Sequence, residues 1–271
     1  MKKLSFSTLM LWIGLVFLYA PMFILIFYSF NASKLVTVWG GFSAKWYAEL
    51  FADQQILDAV WTSLQIAFYS STMAVIIGTM AAFVMTRFRR SWAKLTLSNM
   101  ITAPLVMPEV ITGLSLMLLF VHMSDLLGWP AERGRMTVWI AHSTFCAAYV
   151  AVVVSSRLRE LDLSIEEAAM DLGATPLKTF FLITVPMIAP ALMAGWLLSF
   201  SLSLDDLVIA SFASGPGATT LPMVVFSSVR LGVSPKINAL ATLIILVVSL
   251  IAFLSWYLAR RSERRSRQTE E

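Results

Sequence analysis

The amino-acid sequence predicts an all-α, polytopic membrane protein. Of the 271 residues, 58% are hydrophobic and 13% are charged, whereas soluble domains average about 45–50% and about 25%. Several apolar runs are longer than the roughly 20 residues that a helix needs to cross a bilayer. These two observations exclude an ordinary soluble domain, and they predict that most of the chain lies in the lipid bilayer as helices.

Six apolar runs give the predicted membrane spans, which together form a single transmembrane domain over residues 1–271. The spans cover about 7–30, 62–86, 97–121, 137–156, 187–212 and 237–259. Met1-Lys2-Lys3 is typical of the start of a signal peptide, but the apolar run after it is too long for one. Leu18-Tyr19-Ala20 is not a small-x-small cleavage site either. We therefore predict that the first span is an uncleaved anchor.

Basic residues predict the orientation of the spans. With both termini in the cytoplasm, 14 of the 20 Lys and Arg residues fall on the cytoplasmic side: Lys2, Lys3, Arg87, Arg89, Arg90, Lys94, Arg157, Arg159, Lys178, Arg260, Arg261, Arg264, Arg265 and Arg267. Cytoplasmic loops of membrane proteins carry such an excess. The sequence thus predicts that both termini, the loop 157–186 and a basic tail over 260–271 lie inside. Anionic lipid is the expected neighbour of that tail, and no nucleic-acid partner is predicted.

Two predicted outer loops differ in composition. Residues 31–61 are rich in aromatic side chains, which are typical of a membrane interface, and Asp53–Trp61 is predicted to form a short surface helix. In the second loop, residues 213–236, Gly215-Pro216-Gly217 breaks any helix. The apolar stretch that follows it is too short to span the membrane. A hairpin or a re-entrant element is predicted there.

The segment Ser164–Pro186, between the fourth and fifth spans, carries the signals of two short helices. Ser164 and Glu167 fit a capping box, in which each side chain bonds the other residue's backbone N–H, and Glu166 adds negative charge at the positive end of the helix dipole. Gly173 can take the left-handed conformation that ends a helix. Thr175 followed by Pro176 is typical of a second helix start. The sequence predicts two helices that meet at a glycine.

Three carboxylates inside the predicted spans are candidates for function, because an acid at the centre of a membrane helix costs about 2.5–3.5 kcal/mol on insertion scales. Glu109 follows two prolines in the third span, and Asp205 and Asp206 lie in the fifth. Ser199, Ser203 and Asp206 share one helix face, while Asp205 lies about 100° away. Intramembrane acids usually line a pathway, so Glu109, Ser203, Asp205 and Asp206 are predicted to border one. Structural roles remain open: Asp206 could bond Ser199 or Ser203 or pair with a basic residue of a neighbouring subunit, and Glu109 could bind N–H groups that the prolines free.

Other chemistry has little support in the sequence. The single cysteine, Cys146, cannot form a disulfide within the chain, and with no cluster of metal ligands no metal site is predicted. His122 and His142 are interpreted as structural. No G-x-x-x-x-G-K-[ST] loop, G-x-S-x-G elbow or H-E-x-x-H motif occurs. The chain is therefore predicted to be neither an ATPase nor any other enzyme.

The pattern Glu167-Ala168-Ala169, three residues, Gly173, nine residues, Ile183 and Pro186 resembles the EAA loop of ABC-importer permeases. This resemblance implies the type I ABC-importer permease fold. It also implies that Glu166, Glu167, Ala168, Ala169, Gly173, Ile183 and Pro186 couple the chain to a separate ATP-hydrolysing subunit. Glu167 then has two compatible roles, as the partner in the capping box and as a salt-bridge partner of the ATPase.

Further stretches resemble the polyamine branch of this family: Tyr28–Asn31, Ala103–Pro108, Ser203–Val208 and Phe212–Pro222. Lys34–Trp39 and Ser227–Gly232 resemble the putrescine permeases within it. The resemblance implies an importer in the bacterial inner membrane, driven by ATP, with alternating access. Its implied partners are a second homologous permease, two ATP-binding subunits that hold ATP and Mg²⁺, a periplasmic polyamine-binding protein and the lipid bilayer. This chain would hold no cofactor itself.

Alternatives to that function remain open from the residues. Spermidine or another small organic cation could replace putrescine as the cargo. A secondary transporter coupled to an ion gradient is disfavoured, because the inverted repeats with paired broken helices common in that class are not found. An intramembrane enzyme is disfavoured by the missing catalytic motifs.

Overall fold

A computed structural model describes residues 6–35, 38–88, 92–232 and 234–269, and beyond Arg260 it describes the backbone alone. The predicted cytoplasmic residues Lys2, Lys3, Arg89 and Arg90 therefore lie outside the described residues, as do Thr37 and the side chains of the tail arginines after Arg260. Within the described residues the secondary structure is helical, apart from one isolated bridge between Asn31 and Phe42.

Twelve α-helices and one π-helical turn are formed within the described ranges. They are α1 (Phe6–Ser29), α2 (Lys45–Phe51), α3 (Gln54–Arg87), α4 (Trp92–Val106), α5 (Glu109–Leu127), α6 (Arg135–Glu160), α7 (Leu163–Asp171), α8 (Pro176–Thr179), the π turn (Phe180–Thr184), α9 (Val185–Asp205), α10 (Val208–Ala213), α11 (Leu221–Leu231) and α12 (Pro235–Thr269). The all-α prediction is confirmed.

Five helical stretches are long and apolar enough to cross a membrane: Phe6–Ser29, Gln54–Arg87, Glu109–Leu127, Arg135–Glu160 and Pro176–Asp205. The predicted sixth span falls in α12, whose apolar described part is shorter, Pro235–Leu250. The helices extend beyond several predicted spans, since polar residues at the bilayer surface can continue a helix that an apolar window would end. The prediction of a separate surface helix over Asp53–Trp61 is therefore wrong, because the residues from Gln54 onward are the first part of α3. A separate short helix does form in this loop, but earlier, as α2.

Two predicted spans are not continuous. The span predicted over 97–121 is divided into α4 and α5, because Pro108 has an extended backbone (φ −57°, ψ 134°) and disfavours helix at the residue before it. The span predicted over 187–212 ends at Asp205, and Asp206 is extended (φ −66°, ψ 125°) before α10 begins. Both interruptions have a predicted pathway acid beside them, Glu109 in the first and Asp205-Asp206 in the second.

The described chain divides into two compact units. One contains the residues up to Leu57 and those from Val225 onward. In it α1 and α2 both pack against α12. Asn31 organises the loop after α1: its amide nitrogen donates to the carbonyl oxygens of Leu35 and Val38, and its amide oxygen accepts from the N–H groups of Ser33 and Gly40.

The first unit also contains an ion pair between Lys236 and Asp53. Lys236 Nζ lies 3.1 Å from Asp53 Oδ2. Partial burial would raise the pKa of Asp53, but the hydrogen bonds from Lys236 and the Ile56 N–H outweigh it, so the pKa is lowered. Asp53 therefore stays ionised near neutral pH and joins the start of α3 to the start of α12.

The second unit, Asp58–Val224, is built around α6. Val138, Ala141, Cys146, Val150 and Val154 of this helix are fully buried. Helix α9 packs along α6, and α4 and α10 also contact it. Helix α3 approaches very closely at Gly78, where an added Cβ would lie 2.7 Å from Val150 Cβ. This unit contains all the residues predicted to couple to a partner or to border a pathway.

Candidate functional site

The predicted coupling segment begins with a cap that differs from the expected one. Asp162 is the N-cap of α7, and its Oδ1 accepts the backbone N–H of Ser164 at 3.0 Å. The predicted Ser164–Glu167 capping box is therefore wrong. Helix α7 starts at Leu163, so Ser164 already lies inside the helix and cannot be its N-cap. Asp, like Ser, is a favoured N-cap. Two hydrogen bonds from Ser164 lower the pKa of Asp162, and the bond from the backbone N–H contributes more than the bond from the hydroxyl.

The predicted glycine turn is confirmed. Gly173 has φ +87°, its N–H donates to the Met170 carbonyl at 2.9 Å, and the next N–H, of Ala174, donates to Ala169 at 3.0 Å. This pair of bonds is a Schellman motif, which satisfies the last carbonyls of a helix. Thr175 then caps α8, with Pro176 at the first position. The second helix is not short, however: it continues through the π turn into α9, so Ile183 lies in the π turn and Pro186 in the first turn of α9.

The two glutamates of the coupling segment have different surroundings. Glu166 is partly buried and lies 2.9 Å from Arg87 at the end of α3, and its Oε1 also accepts the hydroxyl of Thr184 at 3.0 Å. Glu167 and Ala168 are exposed and Ala169 is half-buried. Glu167 is therefore free of any capping role and points its charge toward solvent, whereas Glu166 is held within the unit.

The interruption between α9 and α10 is held by a buried polar cluster. His142 of α6 lies between Ser203 and Asp206: its Nδ1 is 2.7 Å from Ser203 Oγ, and its Nε2 is 3.1 Å from Asp206 Oδ2. In the tautomer with hydrogen on Nε2, the ring donates a hydrogen bond to Asp206 and its Nδ1 accepts one from the Ser203 hydroxyl. His142 is 0% exposed, Ser203 5% and Asp206 7%. Ser, His and Asp also form the triads of hydrolases, but these three side chains are buried and no substrate can reach them in this conformation.

Asp206 also stabilises the start of α10, although it lies two residues before that helix. Its Oδ2 accepts the N–H of Ala210 at 2.7 Å, and its Oδ1 accepts that of Ile209 at 3.4 Å. These are first-turn N–H groups that have no partner within the helix. Asp206 thus has a structural role, but with other partners than the predicted ones, since it bonds His142 and two backbone N–H groups and not Ser199 or Ser203.

The other predicted pathway acids are exposed. Asp205, the last residue of α9, is exposed together with Ser201. Glu109 is exposed in the first turn of α5, where Pro108 is the N-cap. Helix α5 packs on α10 at Gly113, where an added Cβ would lie 2.8 Å from the Phe212 ring. The structure thus places two accessible carboxylates beside two helix interruptions in neighbouring elements.

The loop that follows α10 is fixed by the chain just before and within the start of α6. Arg133 donates to the Phe212 carbonyl at 2.9 Å, and the Thr137 hydroxyl donates to the Ala213 carbonyl at 2.7 Å. Gly215 lies so close to this segment that an added Cβ would be 2.0 Å from the Arg133 carbonyl oxygen. Only glycine fits there, so the predicted helix break at Gly215-Pro216-Gly217 also serves close packing.

Comparison with known proteins decides the family. Residues 74–268 match the family model described as "Binding-protein-dependent transport system inner membrane component". The chain belongs to this family. It is a transport component of the inner membrane, an ABC-importer permease, as the EAA pattern of α7 implied.

Relatives extend over almost the whole permease. It is 65% identical over 252 residues, 93% of this chain and 90% of the relative, to the Putrescine transport system permease protein PotI of Escherichia coli strain K12. It is 40% identical over 247 residues, 91% and 90% of the two chains, to the Spermidine/putrescine transport system permease protein PotC of the same strain. A bacterial ABC transporter involved in the import of alginate has the same fold, with a TM-score of 0.70, 17% identity and 92% of each chain covered.

The structural interpretation of His142 agrees with its burial and with its bonds to Ser203 and Asp206. The sequence does not predict those partners, although α6 begins at Arg135 and the ring lies two turns inside the helix. An ionisable group within a span is the signal that could have indicated them. The sequence also gives no local pattern that links Arg87 to Glu166, 79 positions away.

Substitution can distinguish the roles of Asp162, the N-cap of α7, and Glu167 within that helix. We expect Asp162→Ala to speed amide hydrogen exchange at Ser164 and Ile165, because the cap bond is lost, whereas Glu167→Ala leaves exchange unchanged. The cap of the unchanged chain is intact above the ordinary pKa of 3.8 and is lost as the pH falls through the lowered folded pKa. Hydrogen exchange of the purified permease measures both effects. Faster exchange in Glu167→Ala would show that Glu167 caps the helix after all, because alanine removes the side-chain bond that Glu or Gln can make.

Proposed function

We propose that this permease forms half of the translocation pathway of an ATP-driven importer whose cargo is putrescine. The observation that carries the proposal is the 65% identity, over 93% of the chain, to a permease named for putrescine transport. The exposed carboxylates of Asp205 and Glu109 support it. A diamine carries two ammonium groups, and carboxylates form charge-assisted hydrogen bonds with such groups.

The proposed assembly supplies what the permease does not contain. A second homologous permease completes the pathway, two ATP-binding subunits hold ATP and Mg²⁺, and a periplasmic polyamine-binding protein delivers the cargo. Both termini and α7 face the cytoplasm in this proposal, where the exposed Glu167 and Ala168 meet an ATP-binding subunit. Closure of the ATP-binding subunits moves α7 and opens the pathway outward, and hydrolysis returns it.

Asp205 and Glu109 are the proposed cargo contacts, while Asp206 and Ser203 shape the pathway by holding its helix interruption. Asp205 terminates α9, and Glu109 begins α5. High affinity belongs to the binding protein, so the permease needs only weak, transient contacts. Spermidine remains a second candidate cargo, because relatives at 40% identity carry both polyamines in their names.

Competition uptake tests the cargo. Proteoliposomes that hold the complete transporter, with its binding protein outside and ATP inside, are expected to take up labelled putrescine. Excess unlabelled putrescine should suppress that uptake more strongly than spermidine. Stronger suppression by spermidine would favour the second candidate, and no uptake of either polyamine would overturn the proposal.

Neutralising Asp205 tests the proposed contact. We expect Asp205→Asn to reduce putrescine uptake about tenfold or more, because a hydrogen bond to a charged group contributes about 1.5–3 kcal/mol. The complex should still assemble and hydrolyse ATP, since Asp205 is exposed and supports no packing. Uptake and ATP hydrolysis are measured in the same vesicles. Glu49, an exposed acid of α2, is the matched control, and Glu49→Gln is expected to leave uptake unchanged. Unchanged uptake in Asp205→Asn would remove Asp205 from the pathway.

A further inference from the structure

Arg87 and Glu166 form an ion pair that connects separate parts of the second unit. Arg87 is the last residue of α3, and Glu166 lies in the first turn of α7. The distance from Arg87 Nη2 to Glu166 Oε1 is 2.9 Å, and the two side chains are 11% and 14% exposed. Because both side chains are mostly buried, this pair differs from exposed surface ion pairs, which contribute little to stability and of which many contribute nothing measurable.

The same two side chains also hold two further segments. Arg87 Nη1 donates to the carbonyl oxygen of Leu158 at 3.1 Å, which belongs to the last turn of α6 and has no partner within that helix. Glu166 Oε1 accepts the Thr184 hydroxyl at 3.0 Å. Leu158 is 0% exposed and Thr184 1%. One guanidinium and one carboxylate therefore join α7 to the ends of α3 and α6 and to the π turn that precedes α9.

The segment reached by Glu166 has an unusual backbone. Phe180–Thr184 is a π-helical turn within the otherwise continuous helix Pro176–Asp205. Such turns are rare and are found frequently at functional sites. Phe180 in this turn also contacts Phe83 of α3, with ring centroids 5.1 Å apart. Thr184 closes the turn, so its bond to Glu166 ties the position of α7 to the winding of the helix that ends at Asp205.

One hydrogen-bond donor of the Arg87 guanidinium has no partner in the described part of this structure. Arg87 Nε is buried and has no hydrogen-bond partner among the described residues. A buried donor without a partner costs free energy, so a second arrangement that supplied one would be favoured at this atom. Coupling between distant sites requires an element with two arrangements that both sites can bias.

A second ion pair nearby provides a contrast. Arg157 Nη1 lies 2.9 Å from Glu160 Oε2, but the pair is local to α6, at positions i and i+3, and its side chains are 45% and 62% exposed. It joins no other segment. It has the same chemistry and length as the Arg87–Glu166 pair, without its burial or its connections.

We propose that Arg87, Glu166 and Thr184 are positioning residues that transmit movement of α7 to α3, α6 and α9. In the pair's absence α7 can still dock on an ATP-binding subunit through its exposed residues, but its displacement no longer moves the helices that carry the pathway. ATP hydrolysis then continues without proportionate transport. This inference rests on the proposed function, because it requires a partner ATPase and a transported cargo.

Proteoliposomes with the complete transporter and its binding protein test the inference, with putrescine uptake and ATP hydrolysis measured in the same vesicles. We expect Arg87→Met and Glu166→Gln to lower the uptake per ATP hydrolysed by about tenfold, within the 0.5–2 kcal/mol range of known coupling effects. Thr184→Val, which removes the hydroxyl but keeps the shape, should lower it less, and Thr184→Ser should restore it. Arg157→Met and Glu160→Gln are the matched controls and should leave the ratio unchanged.

The outcomes separate this inference from the proposed function. If the unchanged transporter imports no putrescine, the proposed function fails first, and the ratio for the cargo that it does import then decides the inference. If the unchanged transporter works and all variants keep its uptake per ATP, the inference is overturned. It is also overturned if Arg87→Met loses its ATP-binding subunits on purification while Thr184→Val assembles and remains fully coupled, since the pair would then serve assembly alone.

Discussion

Replacing Asp206 with alanine is expected to destabilise the permease by about 3 kcal/mol, because a buried donor left without its acceptor costs about 1–3 kcal/mol and Asp206 accepts from more than one. The substitution removes the acceptor of His142 and of the N–H groups of Ile209 and Ala210. The imidazole is 0% exposed, so water cannot replace the lost carboxylate. Unfolding of the purified subunit by sodium dodecyl sulfate in mixed micelles measures the loss.

The neighbouring acid provides the control for that experiment. Asp205→Ala is expected to change the free energy of unfolding by less than about 0.5 kcal/mol, as exposed substitutions usually do. Asp206→Asn should be intermediate, because the amide oxygen can still accept the Ala210 N–H. If the two alanine variants unfold alike, Asp206 does not hold the interruption between α9 and α10. Adjacent acids of identical chemistry thus have opposite expected roles, stability for Asp206 and cargo contact for Asp205.

Replacing Gly173 with valine is expected to abolish most coupled uptake while leaving the membrane helices folded. Gly173 has φ +87°, a conformation that costs an ordinary residue roughly 1–2 kcal/mol and a β-branched residue more. An added Cβ would contact nothing within 4 Å, so backbone strain alone is responsible. The strain is relieved by changing the angle between α7 and α8, which moves the exposed face of α7. Putrescine uptake and ATP hydrolysis in proteoliposomes measure the effect.

Two controls make this result specific. Asn tolerates the left-handed conformation, so Gly173→Asn should retain most of the uptake that Gly173→Val loses. Gly128 also has a positive φ, +67°, and open space around its Cβ position, but it ends α5 far along the chain from α7. Gly128→Val should lower stability without lowering uptake per ATP. Full uptake by Gly173→Val would show that the turn tolerates a different angle.

Local signals in the sequence were sufficient where one residue type has one conformational use. Gly173 ends α7 in the left-handed conformation, and Thr175 with Pro176 begins α8, both as predicted. Local signals were insufficient where two neighbouring residues compete for one role. Asp162 and Ser164 are both favoured N-caps, and the sequence alone gave no reason to choose Asp162, whose use depends on where α6 ends.

Helix interruptions were harder to predict than helices. An apolar run over 97–121 indicates a span whether or not its backbone is continuous, and Pro104 is in fact accommodated inside α4 while the chain breaks before Pro108. At Asp206 no proline or glycine marks the interruption. There the break depends on a carboxylate that binds His142 and caps α10, and these contacts form only when α6 and α9 pack together.

By itself, the sequence determined that this protein is an all-helical membrane permease, because hydrophobic run lengths and the spacing of the EAA pattern are properties of the chain. It also indicated Glu109, Asp205 and Asp206 as the acids to consider in the predicted spans. The tertiary structure decided what each acid does: Asp206 is buried against His142 and Asp205 is exposed, while Glu166 pairs with Arg87 and Glu167 faces solvent. In both pairs the residues are adjacent and chemically identical, so only the surrounding packing, which decides burial and hydrogen-bond partners, could distinguish them.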